Sequence, residues 1–413
     1  MTASTPSSDK AIEIHAGFIP LTDCAPLVVA KELGLDRANG LNLSLHREVS
    51  WANIRDKAEA GYLDCAIALA PMPLAATLGL GGRPPVAMLA LMSTSLNGNA
   101  ITVSRALFEE MLDVDAENCR AGGMTSARAL AKAIAQRRSA GREPLTLGMV
   151  YPFSCHNYDL RCWLASAGAD PETDVNIVVV PPPLIASSLK SGRIDGFCVG
   201  EPWSSVSVDQ GDGVIIATKA ELWDLSPEKV LMIRKSVADE RPDVAAALIR
   251  CLVKAGHWLD QTGNRAQAAR WLAQDEYVGV RSEILLRALQ NELERGDAEL
   301  PTPAREMIVF GRADSNFPWR SHARWLLTQM VRWGQVRSPF DICDVADAVY
   351  RSDLYRAAIE GLGIAAPGTD VKPEGNGTFF GGEWFDPGKP AAYLAQHRVR
   401  RTDIDPHLFS LRG

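Results

Sequence analysis

The chain has 413 residues, 46% of them hydrophobic and 23% charged, with a formal net charge of −7. That length holds two or three lobes with cores of their own. The acidic balance excludes a broad nucleic-acid-binding face, which needs a basic surface; it leaves room for an anion pocket, which needs only local donors.

Residues 11–18, AIEIHAGF, alternate apolar and polar and read as a first strand. Asp23 precedes APLVVAKELGL, an apolar-periodic helix closed by Gly34. LNLSLHREV is a second strand. Trp51 to Gly61 forms a helix with Ser50 as its N-cap. CAIALA is a third strand, PMPLAATLGLG a helix with Pro73 tolerated in its first turn, and VAMLALMS a fourth strand. This alternation implies a parallel α/β lobe. It restarts after LNGNAITVS, with helix TSARALAKAIAQRRSA, strand PLTLGMVY, helix HNYDLRCWLASAG, strand VNIVVV, helix PLIASSLKSG and strand DGFCVG. From about residue 236 to 360 the chain is mostly helical, and the tail from Ile364 is irregular. The expected organisation is lobe 1 with a helical C-terminal extension, residues 1–103 and 213–413, and lobe 2, residues 104–212.

The first residues, MTASTPSSDKAIEIHAG, lack an apolar stretch of signal-peptide length, and no run of about 18 apolar residues occurs. A cytoplasmic chain without a membrane span is expected. The eight cysteines show no CxxC or metal spacing and read as buried thiols. No P-loop or G-x-G-x-x-G stands at a strand–helix turn, so nucleotide binding is not suggested. No HxxxH spacing or G-x-S-x-G elbow is present; no metal, cofactor or catalytic residue is expected.

Two α/β lobes joined by crossing segments make a cleft, and ligands in such folds sit beyond the C-terminal strand ends, where helix N-termini favour anions. Trp51 stands at such an end; it reads equally as a pocket wall and indole donor or as a core tryptophan. Asn97 and Asn99 offer amide donors around Gly98, whose missing side chain lets backbone N–H groups approach, though Asn-Gly is also hinge-turn chemistry. His156, just before a helix, is a neutral donor or a capping residue. Lys229, in LSPEKVLMI, neutralises a monoanion or is a solvated junction lysine. Arg55 and Asp56 read as a structural ion pair, and Glu201 as structural.

Four stretches, GFIPLTDCAPLVVAKELGL, WANIRDK running into CAIALAPMPLA, LNGNAITVS and VGEPW, together with GGEWFDPGKPAAYLA near the end, resemble the nitrate/bicarbonate-binding family of ABC-transporter solute receptors over roughly residues 11–390. The resemblance implies a two-lobed, type II periplasmic-binding-protein-like fold with a cleft. It implies a ligand site at Trp51, Asn97, Gly98, His156, Pro182, Val199 and Lys229, with Pro182 and Val199 as apolar walls. CAIALA runs straight into PMPLA without the bicarbonate branch's insert, which favours nitrate. The missing leader points to the family's cytoplasmic, NasS-like sensor branch. Such a protein is no enzyme. It would bind nitrate or nitrite and control NasT, an RNA-binding antiterminator of the ANTAR type, without itself touching nucleic acid or membrane. The alternative is the nitrate- or bicarbonate-binding component of an ABC transporter.

Overall fold

The computed structural model describes residues 11–302, 305–375, 378–397, 401 and 404–409. The described strands are β1 (Ile12–Phe18), β2 (Leu41–Arg47), β3 (Cys65–Leu69), β4 (Met88–Asn97), β5 (Asn99–Ser104), β6 (Leu145–Met149), β7 (Val175–Val179), β8 (Gly196–Gly200), β9 (Gly213–Thr218), β10 (Pro227–Arg234) and β11 (Ile308–Val309). They form two sheets, ordered β11-β4-β10-β3-β1-β2 and β7-β6-β8-β5-β9. The two orders follow one plan. In each sheet the strand that arrives from the other lobe, β10 or β5, inserts antiparallel among strands that otherwise run parallel, except for the short edge strand β11, which pairs antiparallel with β4. The sequence expectation of a purely parallel first lobe is therefore corrected to a mixed sheet. Local alternation marks β4 as a strand but cannot reveal that a segment some 130 residues later separates it from β3.

The two-lobed α/β fold, of the periplasmic-binding-protein kind, stands as expected. The second sheet also takes Asn99–Ser104 and Gly213–Thr218, most of which lies on the lobe 1 side of the boundaries at 104 and 212. Strands β3, β4, β8 and β9 are buried along their whole length, β9 although it ends its sheet. Strands covered on both faces need near-continuous apolar runs, which CAIAL and VIIA supply. Helices Ala25–Glu32, Pro242–Leu259 and Ser352–Ile359 pack together with one face of the first sheet. A second core joins Trp51 and Ile54 to lobe 2 and to helix Arg320–Arg332. The helical C-terminal portion is thus built into the body of the protein.

Helix Trp51–Ala60 starts where expected, its Ser50 hydroxyl accepting the Asn53 N–H at 3.2 Å. Helix Cys155–Ser166 starts the same way, on Ser154. Both begin at strand ends that face the other lobe. Helix Arg105–Ala121, which is not among the expected helices, follows β5 directly.

The first crossing is a tight turn. Asn97 has φ 62° and Gly98 φ 94°. The Asn97 carboxamide donates to the Glu306 carbonyl at 3.1 Å and accepts from the Ser226 N–H at 3.0 Å and hydroxyl at 3.1 Å. The Gly98 N–H donates to the Met307 carbonyl at 2.6 Å. The outgoing and returning crossings are thereby tied to each other and to the segment before β11. Asn97→Ala would lose the side-chain bonds at a left-handed backbone angle that alanine tolerates less well than asparagine. It is expected to lower the unfolding free energy by about 1–3 kcal/mol, read from the urea midpoint.

Candidate functional site

The crossing strands bring an unusual set of charges into the interior. Glu228 and Lys229 lie on β10, fully buried, with Lys229 paired to Leu69 of β3 and Ser95 of β4. The Lys229 ammonium donates to Glu228 Oε1 at 2.6 Å and lies 2.8 Å from Asp23 Oδ2. It also stands 5.4 Å from the Trp51 ring centroid, within cation–π range. Lobe 2 supplies the rest. The Lys219 ammonium, just past β9, meets Glu228 Oε2 at 2.8 Å and Asp159 Oδ2 at 3.0 Å. Asn99, the first residue of β5, donates its amide to Glu228 Oε2 at 2.6 Å. His156 Nε2 approaches Glu228 Oε1 at 3.6 Å. Asp23, Asp159, Glu228, Lys219, Lys229, Asn99 and His156 are each at most 2% exposed.

Burial opposes every charge here, and pairing decides the outcome. Burial pulls Lys219 and Lys229 down, but the carboxylates around them win and hold both above the ordinary lysine value. Burial likewise resists ionisation of Glu228, yet Lys219 and Lys229 hold its carboxyl well below the usual range. Asp159 has Lys219 alone as a close cation, so burial pushes it up to about 6. Burial drives His156 down to about 3, against the pull of Glu228, so it is a neutral imidazole at pH 7.

Several donors at this place have nothing to donate to. The Trp51 indole Nε1 and both ring nitrogens of His156 are buried without a hydrogen-bond partner. A buried orphan of this kind costs about 1–3 kcal/mol unless an acceptor arrives. Trp51 opens a helix of lobe 1, and His156 lies in the first turn of a helix of lobe 2. Lys229 stands beside both, through the Trp51 ring and through the Glu228 oxygen that it shares with His156. The lobes meet around this spot. Thr22 donates its N–H at 2.8 Å and its hydroxyl at 3.1 Å to the Glu201 carbonyl. The Trp203 indole donates to the Pro20 carbonyl at 3.1 Å, and Arg55 reaches Tyr151 at 2.9 Å. Arg55 thus pairs with Asp56, as expected, and also bridges the lobes. A groove of about 750 Å3 opens beside that bridge, lined by Arg55, Tyr151, Phe153 and Gln335, but none of the clustered charges lines it.

Three of the residues singled out in the sequence therefore converge: Trp51, His156 and Lys229. Pro182 is buried as the first residue of helix Pro182–Lys190. Val199 is buried on β8 opposite Ala100. Alternation turns Val199 to the face opposite Gly200. It is Gly200 that β8 presents to the cluster: a Cβ there would stand 3.3 Å from Asp23 Oδ2 and 3.5 Å from Asn99 Oδ1. Asn97 and Gly98 are corrected. Their donors are engaged by Glu306 and Met307, because the turn at Asn97 aims that side chain at the crossing, and the amide that enters the cluster is that of Asn99. Asp23, Asp159, Lys219 and Glu228 were missed. Each reads locally as a surface charge at a helix or strand end, and only their convergence from four elements distinguishes them. Among the described residues, no three His, Cys, Asp or Glu side chains converge as a metal-binding group.

The profile of the NMT1-like family matches residues 8–273. The chain is 33% identical over 390 residues to the nitrate/nitrite binding protein NrtA of Synechococcus elongatus, an alignment covering 92% of this chain and 85% of that protein. The chain belongs to the nitrate/bicarbonate-binding receptor family. Another relative of this receptor, at 38% identity over 393 residues, is the nitrate import ATP-binding protein NrtC of a Synechocystis species; the alignment covers 95% of this chain and 56% of NrtC. The chain therefore spans little more than half of that relative. The crystal structure of the periplasmic nitrate-binding protein NrtA from Synechocystis matches the receptor with a TM-score of 0.86 at 29% identity, over 94% of this chain and 99% of that one. The NrtA relatives are substrate-binding proteins, and this receptor is a binding protein, not an enzyme.

His156 makes stability depend on pH in a defined window. Its value is about 3 when folded, against an ordinary 6.5. The stabilisation is full above pH 6.5 and is lost as pH falls toward the folded value. Urea titrations of the parent should contain a His156 contribution that declines as pH drops from 6.5 to about 5, set against Asp159 and Glu201, whose carboxyls, held up at about 6 and about 7, shift stability the opposite way there. His156→Asn should flatten that decline; an unchanged slope would take His156 out of the account.

Proposed function

We propose that this receptor closes its lobes on one small, planar, singly charged anion, nitrate or nitrite. The carrying observation is the set of buried, unpartnered donors, the Trp51 indole and the His156 imidazole, beside the Lys229 ammonium. Trp51 would wall and donate, His156 would donate as a neutral group, and Lys229 would supply the charge. An oxyanion among them would satisfy each donor. The names of the relatives, nitrate/nitrite binding protein NrtA and nitrate import protein NrtC, favour nitrate over other monoanions.

The finer reading is a cytoplasmic nitrate/nitrite sensor that holds the antiterminator NasT without the anion and releases it with the anion. The sequence resemblance supports it, as do eight free cysteines, seven of them buried, which suit a reducing compartment. No helix among the described residues is long and apolar enough to cross a membrane. The second reading is the substrate-binding component of a nitrate or bicarbonate import system, favoured by the import function in the name NrtC.

Nitrate at a hundredfold excess over its Kd should add about 2.7 kcal/mol of stability and raise the melting temperature accordingly. No shift with millimolar nitrate or nitrite would sink the anion reading. Trp51→Phe keeps an aromatic ring, smaller than the indole, and removes the orphan N–H. Its ligand-free melting temperature should match or exceed that of the parent, while its nitrate affinity drops roughly tenfold. To separate the two readings, immobilised receptor is offered purified NasT: the sensor reading requires capture without nitrate and release with it, and the import reading requires neither.

A further inference from the structure

Asp23 poses a problem that the anion reading does not resolve. Its carboxylate lies 2.8 Å from the Lys229 ammonium, the same charge that an incoming anion needs. Glu228 holds Lys229 from the other side at 2.6 Å. In the ion-paired state, therefore, Lys229 already has two anionic partners in a site screened from water. A third would raise the buried negative charge by one, and an unbalanced buried charge costs several kcal/mol. Asp23 cannot easily turn away. It sits on the short turn Thr22–Cys24 between β1 and helix Ala25–Glu32, is 2% exposed, and faces Gly200 of lobe 2 at close range. The groups around it are Lys229 and Glu228 on β10, with His156, Lys219 and Asp159 beyond Glu228. Glu201 stands at the end of β8, bonded to Thr22, and Cys24 is its neighbour on the turn.

We propose that Asp23 is the built-in counter-ion of the empty site, and that the anion enters together with one proton, which Asp23 takes. This rests on the anion reading above and deepens it. The exchange balances. The free site holds an aspartate, a glutamate and an ammonium. The occupied site holds a neutral aspartic acid, a glutamate, an ammonium and the nitrate. One proton has come from solvent to an Asp23 oxygen, and the buried net charge is unchanged. The protonated carboxyl gains an O–H that can donate to the anion, so a competitor becomes a donor. Burial already outweighs the pull of Lys229 and holds Asp23 above the usual carboxylate range. A monoanion at Lys229 would raise it further.

Calorimetric titration with sodium nitrate tests this in two buffers of different ionisation enthalpy, at pH 7 and 8. The expected result is uptake of about one proton per nitrate and an association constant that falls about tenfold between the two pH values. Asp23→Asn should bind nitrate without proton uptake and without the pH dependence, and more tightly than the parent at pH 8. Glu201→Gln, whose parent carboxyl is also buried and pushed up to about 7, should keep both effects. Nitrate binding with no proton uptake in the parent overturns the proposal while leaving the anion reading intact. Uptake that persists in Asp23→Asn, or vanishes in Glu201→Gln, also overturns it by placing the proton elsewhere. No nitrate binding at either pH overturns the anion reading itself. Should Asp23→Asn fail to fold, Asp23→Ser takes its place in the same titrations, with the same outcomes.

Discussion

The Glu228 carboxylate, shared between two lysines from different lobes, is the interaction on which the rest of the structure depends. Lys229 is its chain neighbour on β10, while Lys219 follows the last strand of the second sheet. A carboxylate in the interior is tolerable only with such partners, and removing one partner from a buried set costs about 3–5 kcal/mol. The pairing therefore constrains the fold. β10 has to lie in the middle of its sheet, next to β3 and β4, for its acid and base to reach the seam between the lobes. The helix carrying His156 and Asp159 must point its N-terminal turn at the same spot.

That constraint also bears on what can bind. Three carboxylates, Asp23, Asp159 and Glu228, already face two ammoniums. The cluster has no surplus positive charge to offer, so a divalent anion would bring more charge than the site can offset. A weakly hydrated monoanion asks far less, because it gives up little hydration and is met by neutral donors as well as by Lys229. Neutral donors are what Trp51 and His156 are, the latter because burial keeps its imidazole uncharged. Selectivity in this reading comes from charge already spent inside the protein, with the overall charge of −7 irrelevant to it.

Much of the fold was legible. Alternation and capping placed most strands and helices of both lobes, down to Ser50 at the start of helix Trp51–Ala60, because those signals are local. The position of β10 was not legible, since its neighbours are set by packing across the whole lobe. The site divides along the same line. Trp51, His156 and Lys229 stand at helix starts and on a crossing strand within motifs that resemble a known family, so they could be picked out. Asn97 and Asn99 both offer amides beside Gly98; the family resemblance points to Asn97, while the backbone angle at Asn97, which no local pattern reveals, turns its amide to the crossing and leaves that of Asn99 to the cluster. Asp23, Asp159, Lys219 and Glu228 carry no local mark; they matter because of one another.

The knot at the first crossing has a mechanical consequence. Asn97 is bonded both to Ser226, just before the returning strand, and to Glu306, while Gly98 is bonded to Met307. Opening the jaws by rotation about these crossings must either carry residues 306–309 along or tear those bonds. The outer edge strand β11, which starts at Ile308, is thus geared to the hinge. Whatever moves the jaws is transmitted to the rim of the sheet.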